Sequence, residues 1–170
     1  MGLSAVSNAI AAFLAPSVAG ITNYGTIYQA LPKVANEQDL FLNSFDGAGL
    51  GATIYLFPES QREDRIALGG PHDGRKIRNY VIGLLIVFKS DLSKTVDGQL
   101  AFNTFMDQLT TRIQSDRNAG DPSVIFSFGE GERFGGADLE FQYFVPRTLK
   151  GGVTIFQSVG HVFAVEIINT

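Results

Sequence analysis

The pattern of apolar and polar positions between residues 79 and 120 predicts a buried strand followed by a long amphipathic helix. Residues 79–88 are apolar at both alternating sets of positions and rich in β-branched and aromatic side chains, as in a strand covered on both faces. Asp97 can accept hydrogen bonds from free N–H groups at a helix start, and Gly120 suits the left-handed residue that often ends a helix. A helix between them would be about 20 residues long, or about 30 Å.

The apolar side chains of this predicted helix recur at spacings of three and four, so they share one face, which we expect to pack on the sheet. They are Phe102, Phe105, Met106, Leu109 and Ile113. A similar spacing predicts a short N-terminal helix at residues 3–15, which Pro16 would close.

Alternating patterns and flanking turn residues predict six further strands, at residues 26–31, 52–57, 123–128, 138–145, 153–159 and 161–168. Pro32 and Pro58 would end the first two, and a turn or bulge at Gly160 would join the last two as an antiparallel pair. In residues 138–145 one face would carry Leu139, Phe141, Tyr143 and Val145. The fold class predicted is α+β: a mainly antiparallel sheet of six to seven strands, with the long helix and the short N-terminal helix packed on one face.

Three long loops are predicted within what reads as one domain spanning residues 1–170, at about 37–51, 59–76 and 129–137. Structureless loops longer than about 12–15 residues are uncommon in compact domains and are usually functional or disordered. The first and third combine several glycines with single large apolar residues, whereas the second is strongly charged.

Composition shifts the prediction towards self-assembly. The chain is 45% hydrophobic and only 18% charged, which favours an oligomer whose subunits cover each other, although a large core built on the 14 phenylalanines is the alternative. A net charge of −4 argues against a general nucleic-acid binder. No run is long enough to span a bilayer, so we expect a soluble protein made in the cytoplasm and no membrane partner.

Residues able to perform catalysis are scarce. The chain has no cysteine, and His72 and His161 are its only histidines. His72 and Asp73 are the one imaginable acid–base pair, but adjacent side chains rarely orient each other and a solvated turn is the simpler interpretation. His161 would open a strand as a surface or interface histidine. No set of three or four metal ligands at suitable spacing is present, so we expect no enzyme activity, metal or cofactor.

The element order resembles that of the tail-terminator proteins of long-tailed bacteriophages and of the related tail-completion and tube proteins. The segments that carry the resemblance are YVIGLLIVFKS, DGQLAFNTFMDQLTTRI and DPSVIFSFGEG, followed by alternating strands. The resemblance implies a structural virion protein without catalytic residues. It would form a six-membered ring at the head-proximal end of the tail, in the neck, stop tube growth and meet the head connector or stopper protein.

A ring needs two different patches on each subunit, and an open sheet edge can supply one of them by strand addition. Residues 138–145 and the terminal strand are the candidate edges. The candidate subunit-interface residues are Phe41, Phe45, Leu50, Arg75, Arg78, Phe134 and Tyr143. Glu130 and Glu132 are candidates for lining a channel through which DNA passes without specific binding. Alternative functions are a tail tube subunit that polymerises into stacked rings, or a small enzyme or ligand-binding domain.

Overall fold

The computed structural model describes residues 2–31, 51–66, 75–91, 95–116, 125–126, 139–149 and 152–169, and of residues 64–66, 75–76, 95, 125–126 and 166–169 the backbone alone. Its helices are α1 (Leu3–Phe13), α2 (Pro16–Ala19) and α3 (Thr95–Ser115). Its strands are β1 (Tyr24–Tyr28), β2 (Gly51–Ile66), β3 (Arg75–Ser90), β4 (Ile125–Phe126), β5 (Phe141–Tyr143), β6 (Arg147–Thr148) and β7 (Thr154–Asn169).

The seven described strands form one sheet in the order β1-β2-β3-β7-β4, and β5 and β6 also pair with β7. Strand β3 is central, because β2 and β7 pair with it in antiparallel fashion along its length. Only the pairing of β1 with β2 is parallel among the described strands. The α+β class and the mainly antiparallel sheet are therefore confirmed.

The long helix α3 and the short N-terminal helix α1 pack on the same face of this sheet, as predicted. The five apolar residues of the α3 stripe are all buried, and they share one core cluster with Val6 and Ile10 of α1 and with alternate residues of β2, β3 and β7. The ring of Phe102 stacks on that of Phe156 with centroids 5.5 Å apart. Full burial of one such side chain stabilises the fold by about 1.5–3 kcal/mol, so this layer holds the helices in place.

The opposite face of the sheet carries a smaller core cluster. Tyr55, Val87 and Ile155 are buried there, and the ring of Tyr28 stacks on that of Tyr55 with centroids 5.4 Å apart. The middle of β3 is thus buried on both sides. This explains why its sequence is apolar at both alternating positions, and the prediction for residues 79–88 is confirmed.

The prediction that this strand ends at Pro58 is wrong, because β2 continues to Ile66. The register with β3 shifts between Pro58 and Ser60, so a β-bulge lies at the proline. A residue without an N–H group is tolerated at a bulge, where the ladder is already interrupted. Most of the predicted loop at 59–76 is therefore hairpin, and residues 67–74 lie outside the described part.

The predicted pair of C-terminal strands is also wrong, because β7 runs through Gly160 as one continuous strand. Gly160 lies opposite Leu84 of β3 on one side and Phe141 of β5 on the other. A Cβ atom at this position would overlap the ring of Phe141. The glycine makes room for a ring and forms no turn, so the terminal strand is interior to the sheet and is not a free edge.

The predicted helix ends need correction as well. Pro16 begins α2, at a first-turn position where its missing N–H group costs nothing. Asp97 lies in the first turn of α3, which begins at Thr95, and there its charge suits the helix dipole. The helix ends at Ser115, well before Gly120, and the Ser115 hydroxyl donates a hydrogen bond of 2.7 Å to the Arg112 carbonyl.

Two strands are shorter or shifted relative to the prediction. β1 spans Tyr24–Tyr28, and β5 spans Phe141–Tyr143, so Val145 lies beyond its strand. Of the predicted strand at residues 123–128 the structure describes Ile125 and Phe126, which form β4. Of the helices that the structure describes, none has the length and hydrophobicity needed to cross a membrane. The predicted loop residues 37–50 and 129–137 lie outside the described part of the chain.

Candidate functional site

The largest exposed apolar segment in the described residues lies where β5 ends, on the side of β7 away from β3. Tyr143 is 56% exposed, Phe144 44% and Val145 85%, and we call these three residues the outer-strand patch. The Phe144 N–H donates to the Gln157 carbonyl at 3.1 Å, so the chain still follows β7 after the strand ends. Adjacent large apolar side chains that are exposed to solvent on an ordered backbone are typical of a protein-binding surface.

Several contacts fix the backbone and ring of this patch. The Ser158 hydroxyl donates to the Gln142 carbonyl at 3.0 Å, and the Tyr143 ring meets that of Phe102 edge-on with centroids 6.0 Å apart. Partial burial raises the pKa of Tyr143, and the nearby Asp107 carboxylate raises it further. The patch is therefore presented in a fixed orientation, and its tyrosine stays neutral.

The flank of α3 that faces β5 adds two more exposed apolar residues. Val96 is 76% exposed and Leu100 65% exposed. They lie one turn apart, on the same side of the helix as Asp107, which is close enough to Tyr143 to affect its pKa. Apolar surface at this end of α3 thus lies on the same flank as the outer-strand patch.

The opposite edge of the sheet has a different character. Residues 2–31 contain α1, α2 and β1, and they include no Asp, Glu, Lys, Arg or His. Val18 is 59% exposed and Leu31 48% exposed. We call residues 2–31 the uncharged edge. The lack of charge in residues 2–31 is visible in the sequence alone, but a segment without charged residues contains no candidates for catalysis and so does not stand out as a functional site.

Two polar side chains of α3 attach the uncharged edge to the rest of the fold. Gln108 accepts hydrogen bonds at its Oε1 from the Thr22 N–H (2.9 Å) and hydroxyl (3.0 Å). Arg112 donates from Nε and Nη2 to the Phe13 carbonyl, at 3.3 and 3.1 Å, and its guanidinium lies 4.0 Å from the centroid of the Phe13 ring. A shallow groove of about 380 Å³ lies beside these contacts. Its polar side chains are engaged in holding the helices, which favours a structural role for the groove.

The candidate Arg78 lies on the hairpin of β2 and β3. Its Nε donates to Glu63 Oε2 on the paired strand at 2.9 Å, and this hydrogen bond raises the pKa of Arg78. His161 lies within β7 and does not open a strand, contrary to the prediction. Its Nδ1 is 2.8 Å from Glu59 Oε2. The Arg78–Glu63 contact therefore joins two paired strands, and the His161–Glu59 contact reaches from β7 across β3 to β2.

Among the described residues, Tyr24 carries a buried hydroxyl that has no evident role. The Tyr24 ring packs edge-on against Phe105 with centroids 5.7 Å apart, and its OH has no hydrogen-bond partner among the described residues. Burial raises the pKa of Tyr24 well above the ordinary value of 10.0.

Arg75 is described by its backbone alone, opposite Ile66 and Asn169. Within the described ranges no group of three or more His, Asp or Glu side chains could hold a metal ion. The candidates outside the described part are Phe41, Phe45, Leu50, Phe134, Glu130, Glu132, His72 and Asp73.

No family model matches the chain, and no curated protein matches it. Among solved structures, a chain from a structure titled "Virion of native gene transfer agent (GTA) particle" is similar to this one. The alignment covers 96% of this chain and 94% of that chain, with 13% identity and a TM-score of 0.24. A likeness at this level carries no argument about fold or function.

Proposed function

We propose that this chain is a structural virion protein that forms a ring at the head-proximal end of a phage tail. There it would stop polymerisation of the tail tube and join the tail to the head connector. The observation that carries the self-association is the outer-strand patch, Tyr143–Val145, because a sheet edge with exposed aromatic and aliphatic side chains favours contact with another protein. The assignment to a phage tail rests on the resemblance of the sequence.

The partners that follow from this proposal are further copies of the chain, most simply six, the tail tube protein and the head connector or stopper protein. DNA would pass through the ring without specific binding, past acidic side chains such as Glu130 and Glu132. The protein would act by shape and self-association without catalysis or a cofactor. It would be assembled in the bacterial cytoplasm and reside in the virion.

The test is to purify the chain and examine it by native mass spectrometry and cryo-electron microscopy, alone and with polymerising tube protein. We expect rings of one size in isolation, and tubes that stop growing with a ring at one end. A chain that stays monomeric and never caps a tube would overturn the proposal. Long filaments of this chain alone would instead identify a tube subunit.

A further inference from the structure

We propose that the uncharged edge of one copy packs against the outer-strand patch of the next copy, and that repetition of this contact closes the ring. This inference rests on the proposed function and specifies the two surfaces that meet. The outer-strand patch is Tyr143, Phe144 and Val145, and the uncharged edge is residues 2–31.

The absence of charge is the first reason to select residues 2–31 as the second surface. At the 18% of charged residues found in the whole chain, a segment of this length would hold about five. The fully buried part of a protein interface is depleted in charged residues, because an unpaired charge loses its hydration there. A second copy can cover the uncharged edge without that cost. If this surface faced only solvent, nothing would disfavour charged residues on it.

The position of the two surfaces is the second reason. The uncharged edge includes β1, which begins the sheet order, and the outer-strand patch follows β5, which lies beyond β7. Three strands separate them, so with neighbouring strands about 4.8 Å apart they are about 19 Å from each other across the sheet. Two different patches on opposite sides of a subunit make a heterologous contact, which is the kind that builds rings.

The shapes of the side chains are the third reason. The outer-strand patch offers two aromatic rings and a valine. The exposed residues of the uncharged edge are mostly small, among them Ser17, Val18, Gly20, Thr26 and Ala30. Small side chains leave space for projecting rings, and aromatic residues on one side of an interface bury large areas at little cost in side-chain entropy.

The sheet edges agree with this pairing. In the described chain β1 pairs with β2 alone, and β5 pairs with β7 alone. Among the described strands, each surface thus has a sheet neighbour on one side only, and we place a strand or loop of a second copy on the other side.

The experiment uses one variant for each surface. Val145→Glu places a charge in the outer-strand patch, and Val18→Glu places one in the uncharged edge. Both residues are more than half exposed, so both variants should keep the wild-type circular dichroism spectrum and thermal midpoint. We expect each variant alone to lose rings, with subunit affinity at least about tenfold weaker, because the new carboxylate would be buried without a partner. The control is Gln61→Glu, at an exposed position of β2 outside both surfaces, which should keep wild-type rings.

Mixing the two variants tests the pairing directly. Val145→Glu keeps an intact uncharged edge and Val18→Glu keeps an intact outer-strand patch, so an equimolar mixture should give a one-to-one heterodimer and no larger species in native mass spectrometry. Absence of the heterodimer would overturn the pairing even if each variant had lost its rings.

The outcomes for the pairing and for the function are distinguishable. Rings that form normally with both variants would overturn the pairing and leave the proposed function intact. Wild-type rings that never cap a tube would overturn the function, while the heterodimer would still support the pairing. A wild-type chain that is monomeric at all accessible concentrations would overturn both.

Discussion

Two glycines in the middle of long strands each lie beneath an aromatic ring, on opposite faces of the sheet. A Cβ atom at Gly83 would overlap the ring of Phe57, and one at Gly160 would overlap the ring of Phe141. Glycine normally weakens a strand because it gains no packing and loses more conformational entropy than other residues. Here the ring supplies the packing, and at Gly160 it also anchors β5, the strand that leads into the outer-strand patch.

Gly160→Ala should therefore destabilise the protein by about 1–3 kcal/mol, because the ring of Phe141 must move off the sheet or the backbone must shift. Urea unfolding followed by circular dichroism measures this change in the free energy of unfolding. The matched control is Gly25→Ala, where the nearest atom to the new Cβ is the Ala52 carbonyl oxygen at 3.4 Å, an ordinary contact. That variant should change stability by less than about 0.5 kcal/mol. Equal effects at the two positions would contradict the role given to Phe141.

At the scale of elements, one arginine joins two helices that are distant in sequence. Arg112 of α3 donates two hydrogen bonds to the carbonyl of Phe13, at the end of α1, and covers the ring of the same residue. A carbonyl in the last turn of a helix lacks an intrahelical partner and lies at the negative end of the helix dipole. A guanidinium there supplies the missing hydrogen-bond donor and a favourable positive charge.

Arg112→Ala should cost about 1–2 kcal/mol of folding stability through loss of the charged hydrogen bonds and the cation–π contact. Arg112→Lys should recover less than half of that loss, because an ammonium group cannot donate in the same planar fork. Thermal and urea unfolding measure both variants, with Gln114→Ala at an exposed position of the same helix as the control. A lysine variant as stable as the wild type would show that charge alone is sufficient.

The elements that the sequence predicts well are those whose own pattern determines their environment. The stripe of α3 has no other way to bury its apolar residues, and a strand that is apolar on both alternating sets must lie inside a sheet. The errors fall at Pro58 and Gly160, which local rules treat as breaks. Their outcome depends on neighbours far along the chain: a bulge opposite β3 accepts the proline, and a ring from β5 fills the space at the glycine.

The candidate site was predictable in part for the same reason. Tyr143 is recognisable as a large side chain on an alternating strand, and the structure places it on an exposed edge. Phe144 and Val145 were not predicted as interface residues, because the alternating pattern extends the strand to Val145, whereas β5 ends at Tyr143 and leaves both side chains exposed beyond it. The role of Tyr143 as an interface residue remains a prediction, as do the roles of Arg75 and Arg78.

At the scale of the whole molecule, the proposed contact has a distinctive dependence on solution conditions. One of its two surfaces has no charged side chain. Affinity between subunits should therefore change by less than about threefold between 0.05 and 0.5 M NaCl, although the Debye screening length shortens severalfold over that range. Cooling should weaken association, since burial of apolar surface is favoured less at low temperature.

Sedimentation velocity at several salt concentrations and temperatures measures both trends. A steep loss of affinity with salt would contradict the proposed contact. It would instead implicate charged residues such as Arg78 on the β2–β3 hairpin.

The interior position of β7 also affects how the chain can be made. Strand β3 needs β7 as its second neighbour, and their nearest paired residues, Ser90 and Thr154, are far apart in the chain. A ribosome adding about 5–20 residues per second needs several seconds to synthesise the roughly 60 residues between them. Throughout that interval the nascent hairpin of β2 and β3 exposes a long apolar strand to other emerging chains on the same messenger, so we expect chaperones to bind the chain before β7 is made.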